Sequence, residues 1–225
     1  MLVSHLKKFI YFKTNAKAAL AVEYHFEKYC MPVDTWAEYS EIAREVHFSE
    51  AGIIGKRGLV TLPSDSLWIG LQPAEKMHFQ LGEETWASYK KFGVVQNPYD
   101  KAIAAFYREK TRSGTAPQSL EVDRNNFEIW LIAGGYSNDT PFITVDDTTC
   151  LFDICIRYET LEQDMIALCE TLGVAYSPDD LNHFRHNLEP AGVIASTFYT
   201  DATKAIVTEK AALELDLFNY TFPAD

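Results

Sequence analysis

The sequence lacks a long hydrophobic run: no stretch of 18 or more apolar residues occurs in it. A membrane-spanning helix needs about 20 such residues, so the sequence predicts no membrane span. Near the N-terminus, the apolar run Phe9–Phe12 ends at Lys13 after four residues. That run is too short for a secretory signal peptide and indicates a first β-strand.

Cysteine is also scarce. The chain has four, and no two of them are spaced as Cys-x-x-Cys (Cys30, Cys150, Cys155, Cys169). Because zinc sites commonly use that spacing, we expect no bound metal. With no secretion signal recognised, the thiols are expected to stay reduced, and the expected compartment is the cytoplasm.

The chain has fewer basic residues than acidic ones. The chain has 20 Lys and Arg against 32 Asp and Glu, a formal net charge of −12. Surfaces that bind nucleic acids or polyphosphates normally carry a local basic excess. We therefore expect no DNA or RNA partner. The argument is weaker against a small anionic ligand, because an acidic chain can still hold a local basic cluster.

What the chain does have is enough apolar material for a sizeable core. Of its 225 residues, 47% are hydrophobic and 13% aromatic, which argues against disorder. This length is typical of one domain, so residues 1–225 are expected to fold as a single unit. No internal repeat or low-complexity segment interrupts it.

The most informative stretch begins with the apolar run Phe92–Val95 and continues through Asn97 and Pro98. A residue before proline avoids the helical region, whereas proline suits the first helical turn because it needs no amide donor there. The pattern predicts a buried strand, a tight turn and then a helix. The apolar face of that helix is expected to consist of Ile103, Phe106 and Tyr107.

Two other segments have the same strand-then-helix pattern. Strand Phe9–Phe12 is expected to lead through a short loop into an alanine-rich helix from Ala18 to about Tyr29. Such a loop is an anion site in many proteins, because the first amides of a helix lack partners. Strand Phe152–Glu159 is expected to precede helix Leu161–Leu172, which Gly173 would end.

Four further assignments are made. A helix should run from Ala74 to about Phe79, and residues 111–126 should form a polar loop, either a lid or a mobile connector. Thr140–Val145 is predicted to be a strand or an extended loop. The tail Phe218–Phe222 is expected to pack back on the core.

These segments resemble the PAPS-dependent sulfotransferase family. FIYFKTNAKAALAVE (9–23) is similar to the family segment that cradles the 5′-phosphosulfate of the donor. QNPYDK (96–101) is similar to the segment that grips its 3′-phosphate, and IRYETLEQD (156–164) also fits the family. The resemblance covers residues 6 to 222. It implies an α/β fold with a central, mainly parallel sheet, helices on both faces and a sulfotransferase or P-loop-like topology.

The resemblance also implies which residues would face the donor: Lys13, Thr14, Lys17, Gln96, Asn97 and Lys101. Yet polar positions of the family carry other residues here. Ala16 stands at the catalytic lysine, and Gln96 stands at the phosphate-gripping arginine. The other replacements are Leu20 and Ala21 for a Thr-Ser pair, Leu71 at the general base and Ala104 for a serine.

These replacements affect the chemistry strongly. Losing one preorganised contact to the leaving group raises a barrier by about 3–4 kcal/mol. Losing one charge-assisted hydrogen bond costs about 1.5–3 kcal/mol of donor binding. The sequence therefore predicts a family member that has lost sulfuryl transfer and acts by binding. It would be a structural or assembly subunit, or would hold another ligand, with a protein partner or a second copy and no cofactor.

Other interpretations stay open. The main alternative is an active sulfotransferase in which Lys17 replaces the missing lysine and PAPS transfers its sulfuryl group to a hydroxyl acceptor, leaving 3′,5′-ADP. A third is another nucleotide-dependent enzyme. Arg57 would either contact a phosphate or be solvated. His78 is expected at the surface rather than as a base. His183 and His186 have a spacing that only weakly indicates a metal site.

Overall fold

The computed structural model describes residues 1–36, 45–57, 68–182, 189–190 and 192–223. The chain groups into two compact units, and each is described by itself. The first unit contains Met1–Thr14, Ala18–Val95 and Pro141–Arg185. The second contains Asn15–Lys17, Gln96–Thr140 and His186–Asp225. The expected single domain stays a prediction.

The first unit holds a mixed β-sheet flanked by helices. Across the described part of the chain the sheet has six strands, in the order β3-β4-β1-β2-β5-β6. Their bounds are β1 Leu2–Ser4, β2 Phe9–Phe12, β3 His47–Ser49, β4 Gly52–Ile54, β5 Lys90–Val95 and β6 Ile154–Arg157. The α/β class expected from the sequence is confirmed.

The sheet is only partly parallel, which corrects the expectation of a mainly parallel one. β2 pairs in parallel with β5, and β5 in parallel with β6. The pairings β1–β2, β1–β4 and β3–β4 are antiparallel. For β1–β2 and β3–β4 the reason is the short connection: four residues separate β1 from β2 and two separate β3 from β4, too few for the crossover that parallel strands need.

Helices cover both faces of this sheet. On one face, Phe9, Tyr11 and Phe92 lie beside helix α1 (Ala19–Glu27), and the Phe92 and Phe26 ring centroids are 4.9 Å apart. On the other face, Ile10 and Phe12 pack in a cluster that includes the start of helix α2 (Ala74–Ser88). The alternation along β2 places successive side chains on opposite faces.

The remaining helices follow from the same patterning. The bounds are α3 Pro98–Arg112, α4 Leu120–Ile132, α5 Thr140–Ile143, α6 Leu161–Leu172, α7 Pro178–Asn182, α8 Ala195–Phe198, α9 Asp201–Lys210 and α10 Ala212–Leu217; 3₁₀ turns span Lys28–Cys30 and Tyr158–Thr160. The second unit is helical. Its core joins Phe106, Phe127, Phe198 and Val207, and Phe222 of the tail packs against it as expected.

Several local predictions are confirmed in detail. Helix α3 begins at Pro98, and the Asn97 side chain caps it by accepting a hydrogen bond from the Tyr99 amide at 3.1 Å. Helix α6 has the predicted bounds and ends at Gly173, whose φ of 61° is left-handed. Glycine adopts that conformation without a steric penalty.

Other assignments were wrong or too short. Thr140–Val145 does not form a strand, because α5 occupies its first four residues. The expected six-residue helix at Ala74 continues to Ser88 through a break at Gly82. The loop expected at 111–126 is confined to 113–119, since α3 and α4 extend into it. His183 and His186 lie outside the described residues.

No helix in the ranges given above is long and apolar enough to cross a membrane.

A substitution at Gly93 tests the packing of this sheet. A Cβ atom there would lie 2.4 Å from the Phe152 ring and 2.9 Å from the Phe12 carbonyl oxygen. We expect Gly93→Ala to lower the free energy of unfolding by about 1–3 kcal/mol, because the overpacked site must shift. Denaturant unfolding measures this. In a Phe152→Ala background the same change should cost less, and an equal cost in both would contradict the contact.

Candidate functional site

The parallel strands β2, β5 and β6 are neighbours, so their carboxyl ends lie at one edge of the sheet, where α/β proteins usually bind ligands. Lys13 and Thr14 follow β2 at this edge. The Thr14 hydroxyl donates to the Val94 carbonyl at 2.7 Å, and Thr14 is buried. This contact ties the ends of two strands together.

Lys13 belongs to a buried charge cluster centred on Glu23. Its ammonium lies 2.7 Å from Glu23 Oε2, and the amino group of Met1 lies 2.8 Å from Oε1. The Arg57 guanidinium is 3.7 Å from the same carboxylate. Burial opposes ionisation of Glu23, but these three positive charges outweigh it and lower its pKa to about 2. The charge of Lys13 is thus already compensated.

Arg57 is buried rather than solvated. It is 6% exposed, and its guanidinium forms an ion pair with Glu27 of α1. The expectation of a solvated arginine is therefore wrong. The glycines near Arg57 indicated an exposed loop, but its guanidinium is buried because it pairs with the buried carboxylates of Glu23 and Glu27.

The position at which the sequence resemblance places a general base carries no titratable group. Leu71 is 38% exposed. His78 lies on α2, stacks on Trp86 with ring centroids 4.4 Å apart, and places Nε2 2.9 Å from Glu83 Oε2. It is partly exposed, as expected for a surface histidine.

Lys17 and Gln96 contact each other in the second unit. The Lys17 amide donates to the Gln96 side-chain oxygen at 3.0 Å, and the Lys17 ammonium forms an ion pair with Glu189. Gln96 is 2% exposed, and its amide nitrogen has no hydrogen-bond partner among the residues the structure describes. Ala16, at the family's lysine position, is also buried.

Lys101 is the most buried lysine of the predicted site, at 1% exposure. Its ammonium donates to Asp139 Oδ2 at 2.7 Å and forms a second ion pair with Glu214 of α10. The Asp139 amide donates to Glu214 at 2.7 Å, and the Asn15 side chain donates to Asp139 at 2.7 Å. Lys101 therefore holds four separate segments of the second unit together.

The electrostatics of this cluster follow from its composition. Burial opposes protonation of Lys101, but the carboxylates of Asp139 and Glu214 raise its pKa. Burial, aided by the charge of Asp139, raises the pKa of Glu214 although Lys101 opposes this. One cation among two carboxylates has no charge left for an external anion.

Asn97, the last residue of the predicted set, has a structural role at both ends of its side chain. Its oxygen caps α3, and its Nδ2 donates to the Thr221 carbonyl at 2.9 Å.

A second constellation, not predicted from the sequence, lies in the first unit. His25 Nδ1 is 2.9 Å from Asp180 Oδ2, and Nε2 is 3.4 Å from Cys169 Sγ. The order matches a nucleophile, base and acid, but Cys169 is 2% exposed. Burial raises its pKa to about 11, although Lys28 opposes this, so the thiolate is not available. We read these contacts as a core hydrogen-bond chain.

The partners of the three lysines were not predicted either. Glu23, Asp139, Glu189 and Glu214 lie 10 to 172 residues away from the lysines they contact. The one sequence signal was the excess of acidic residues, which makes an uncompensated buried lysine improbable. Among the described residues, no group of three or more His, Cys, Asp or Glu side chains could hold a metal ion.

Comparison with models of known protein families gives no match. Searches among curated proteins and among solved structures also find no match.

The ion pairs of Glu23 predict that the free energy of unfolding decreases in acid. Because its pKa falls from 4.5 to about 2 on folding, Glu23 should stabilise the protein by about 3 kcal/mol above pH 4.5. This contribution is lost as the pH falls from 4.5 towards 2. The difference in unfolding free energy between wild type and Glu23→Gln should shrink over that range. The exposed Glu50→Gln is the control, and a pH-independent difference for Glu23→Gln would contradict the cluster.

Substitution of Lys101 tests whether this lysine has a structural role or binds a ligand. Lys101→Met should destabilise the protein by about 3–5 kcal/mol, because two buried carboxylates lose their counter-ion. Lys90→Met, at an exposed position, should change stability by no more than about 0.5 kcal/mol. Adding Glu214→Gln to Lys101→Met should restore part of the loss. Near-normal stability of Lys101→Met in chemical denaturation would refute this assignment.

Proposed function

We propose that this chain is a protein of sulfotransferase-like fold that does not carry out PAPS-dependent sulfuryl transfer and acts by binding. The sequence resemblance supports the fold. In the structure, the resembling segments form three strand-to-helix connections, β2 to α1, β5 to α3 and β6 to α6, and the three strands are adjacent and parallel.

The observation that carries the proposal is the internal pairing of the lysines. Lys13 pairs with Glu23, Lys17 with Glu189, and Lys101 with Asp139 and Glu214. Sulfuryl transfer, like phosphoryl transfer, depends on cations that neutralise the charge developing on the leaving group. A lysine already held by a carboxylate supplies little of that charge.

The replaced residues support the same conclusion. Gln96 uses its side-chain oxygen to accept the Lys17 amide, which in an anion cradle would be free to donate to the ligand. The amide that would point at the donor is therefore occupied by the chain itself.

Titration with PAPS and with 3′,5′-ADP tests the proposal. A ligand at 100 times its dissociation constant stabilises a protein by about 2.7 kcal/mol. We expect no stabilisation that depends on Lys17, and no sulfuryl transfer to a panel of hydroxyl acceptors. Gln96→Arg with Ala104→Ser should improve nucleotide binding without turnover, because the two restored donors do not replace the lysine at position 16.

Lys17→Ala is the matched control for these titrations. Under the proposal it leaves the response to PAPS unchanged. Sulfuryl transfer by the wild type that disappears in Lys17→Ala would overturn the proposal and favour an active enzyme with a rearranged lysine.

A further inference from the structure

We propose that a cleft in the second unit binds the phosphate group of a small molecule, with Arg108 as its principal cation. The inference rests on the proposed function, because it names the class of ligand that such a binding protein would hold. The cleft involves residues outside the set expected from the sequence, apart from Lys101.

The cleft is open and has a volume of about 210 Å³. It lies between helix α3 and the segment that follows α4, and its walls include Asn15, Arg108, Arg112, Trp130, Tyr136 and Ser137. Pockets for drug-sized ligands begin at about 300 Å³, so a small molecule fits better than a nucleotide.

Arg108 provides the positive charge. It lies on α3 one turn before Arg112, so the two side chains share one helix face. One of its N–H groups donates to the Asn15 carbonyl at 3.3 Å, and no carboxylate in the described ranges forms an ion pair with it. A guanidinium carries five N–H donors, so several remain for a ligand. In this acidic chain, such a cation beside a cleft is an attractive site for an anion.

Arg108 is exposed to solvent, so an anion that enters the cleft can reach its guanidinium. An arginine stays protonated in proteins.

Tyr136 gives a second and independent indication. It lines the cleft and is 4% exposed, and no hydrogen bond of normal geometry reaches its hydroxyl in the described part of the chain. The Lys101 ammonium lies 5.6 Å from the centre of its ring but is directed to Asp139 and Glu214. Buried hydroxyl groups are almost always satisfied. An oxygen atom of a ligand would satisfy this one.

The chemistry of the donors suits a tetrahedral oxyanion such as phosphate. A planar guanidinium donates two parallel hydrogen bonds to a tetrahedral oxyanion, and a tyrosine hydroxyl donates a third. Glu109 limits the charge of the site, because it lines the cleft and its carboxylate holds Arg112 at 2.7 Å. Removing that carboxylate should therefore strengthen anion binding.

Inorganic phosphate is the probe for the experiment. The full chain is titrated at constant ionic strength, with calorimetry for affinity and the Nε–Hε signals of the arginines in ¹H–¹⁵N NMR spectra for location. Parallel titrations use sulfate, as the other tetrahedral oxyanion, and acetate, as a planar carboxylate. We expect phosphate and sulfate to shift the Arg108 signal, phosphate more strongly, and acetate to bind at least tenfold more weakly.

Four variants locate the site. Arg108→Gln should weaken phosphate binding by about tenfold to a hundredfold, as expected for loss of a charge-assisted contact. Tyr136→Phe keeps the ring and should weaken binding severalfold, whereas Glu109→Gln should strengthen it. Arg124→Gln on α4, outside the cleft walls, is the control and should leave affinity unchanged.

Equal responses to the three anions, or equal affinities of wild type and Arg108→Gln, would overturn this inference. Neither result bears on the proposed function, which fails if the protein transfers a sulfuryl group from PAPS. An active enzyme whose phosphate response still depends on Arg108 would refute the proposed function and leave the cleft as a phosphate site.

Discussion

The pairing of Lys101 with two carboxylates is the interaction on which the second unit depends. A fully buried ammonium costs several kcal/mol unless its charge is matched nearby. Asp139 and Glu214 supply that match, and the Asp139 and Asn15 amides complete the hydrogen bonds around them. Through these contacts, residues near positions 15, 101, 139 and 214 are fixed together. A residue with that structural task has little capacity left to bind an external anion.

The same principle accounts for the internal pairing of the basic residues expected at a donor site. In a chain of net charge −12, acidic residues outnumber basic ones, so a buried lysine can readily pair with a carboxylate. Lys13, Lys17 and Lys101 all have such partners. Arg108 differs because its described contact is a neutral carbonyl oxygen. Whether a basic side chain is neutralised by a neighbouring carboxylate thus depends on the charges close to it rather than on the total charge of the chain.

The sequence predicted those parts of the structure that local chemistry decides. The turn at Asn97-Pro98 and the end of α6 at Gly173 were correct because proline and glycine restrict or permit particular backbone angles. Strand β1 was missed because three residues are too short for a pattern, and with it the antiparallel half of the sheet. Thr140–Ile143 contains residues that suit strands, yet it forms a helical turn, so its surroundings override intrinsic preference.

The candidate site was less predictable than the fold, and its physics explains why. Whether Lys17 is a catalytic group depends on Glu189, which is 172 residues away. Whether Gln96 weakens an anion cradle depends on its contact with the Lys17 amide, which no sequence pattern encodes. Comparing the sequence with the family it resembles shows which hydrogen-bond donors are absent, but only the structure shows which groups take their places. Here the Gln96 side-chain oxygen accepts the Lys17 amide, which an anion in the proposed donor site would otherwise contact, so the backbone as well as the side chains bears on the proposal.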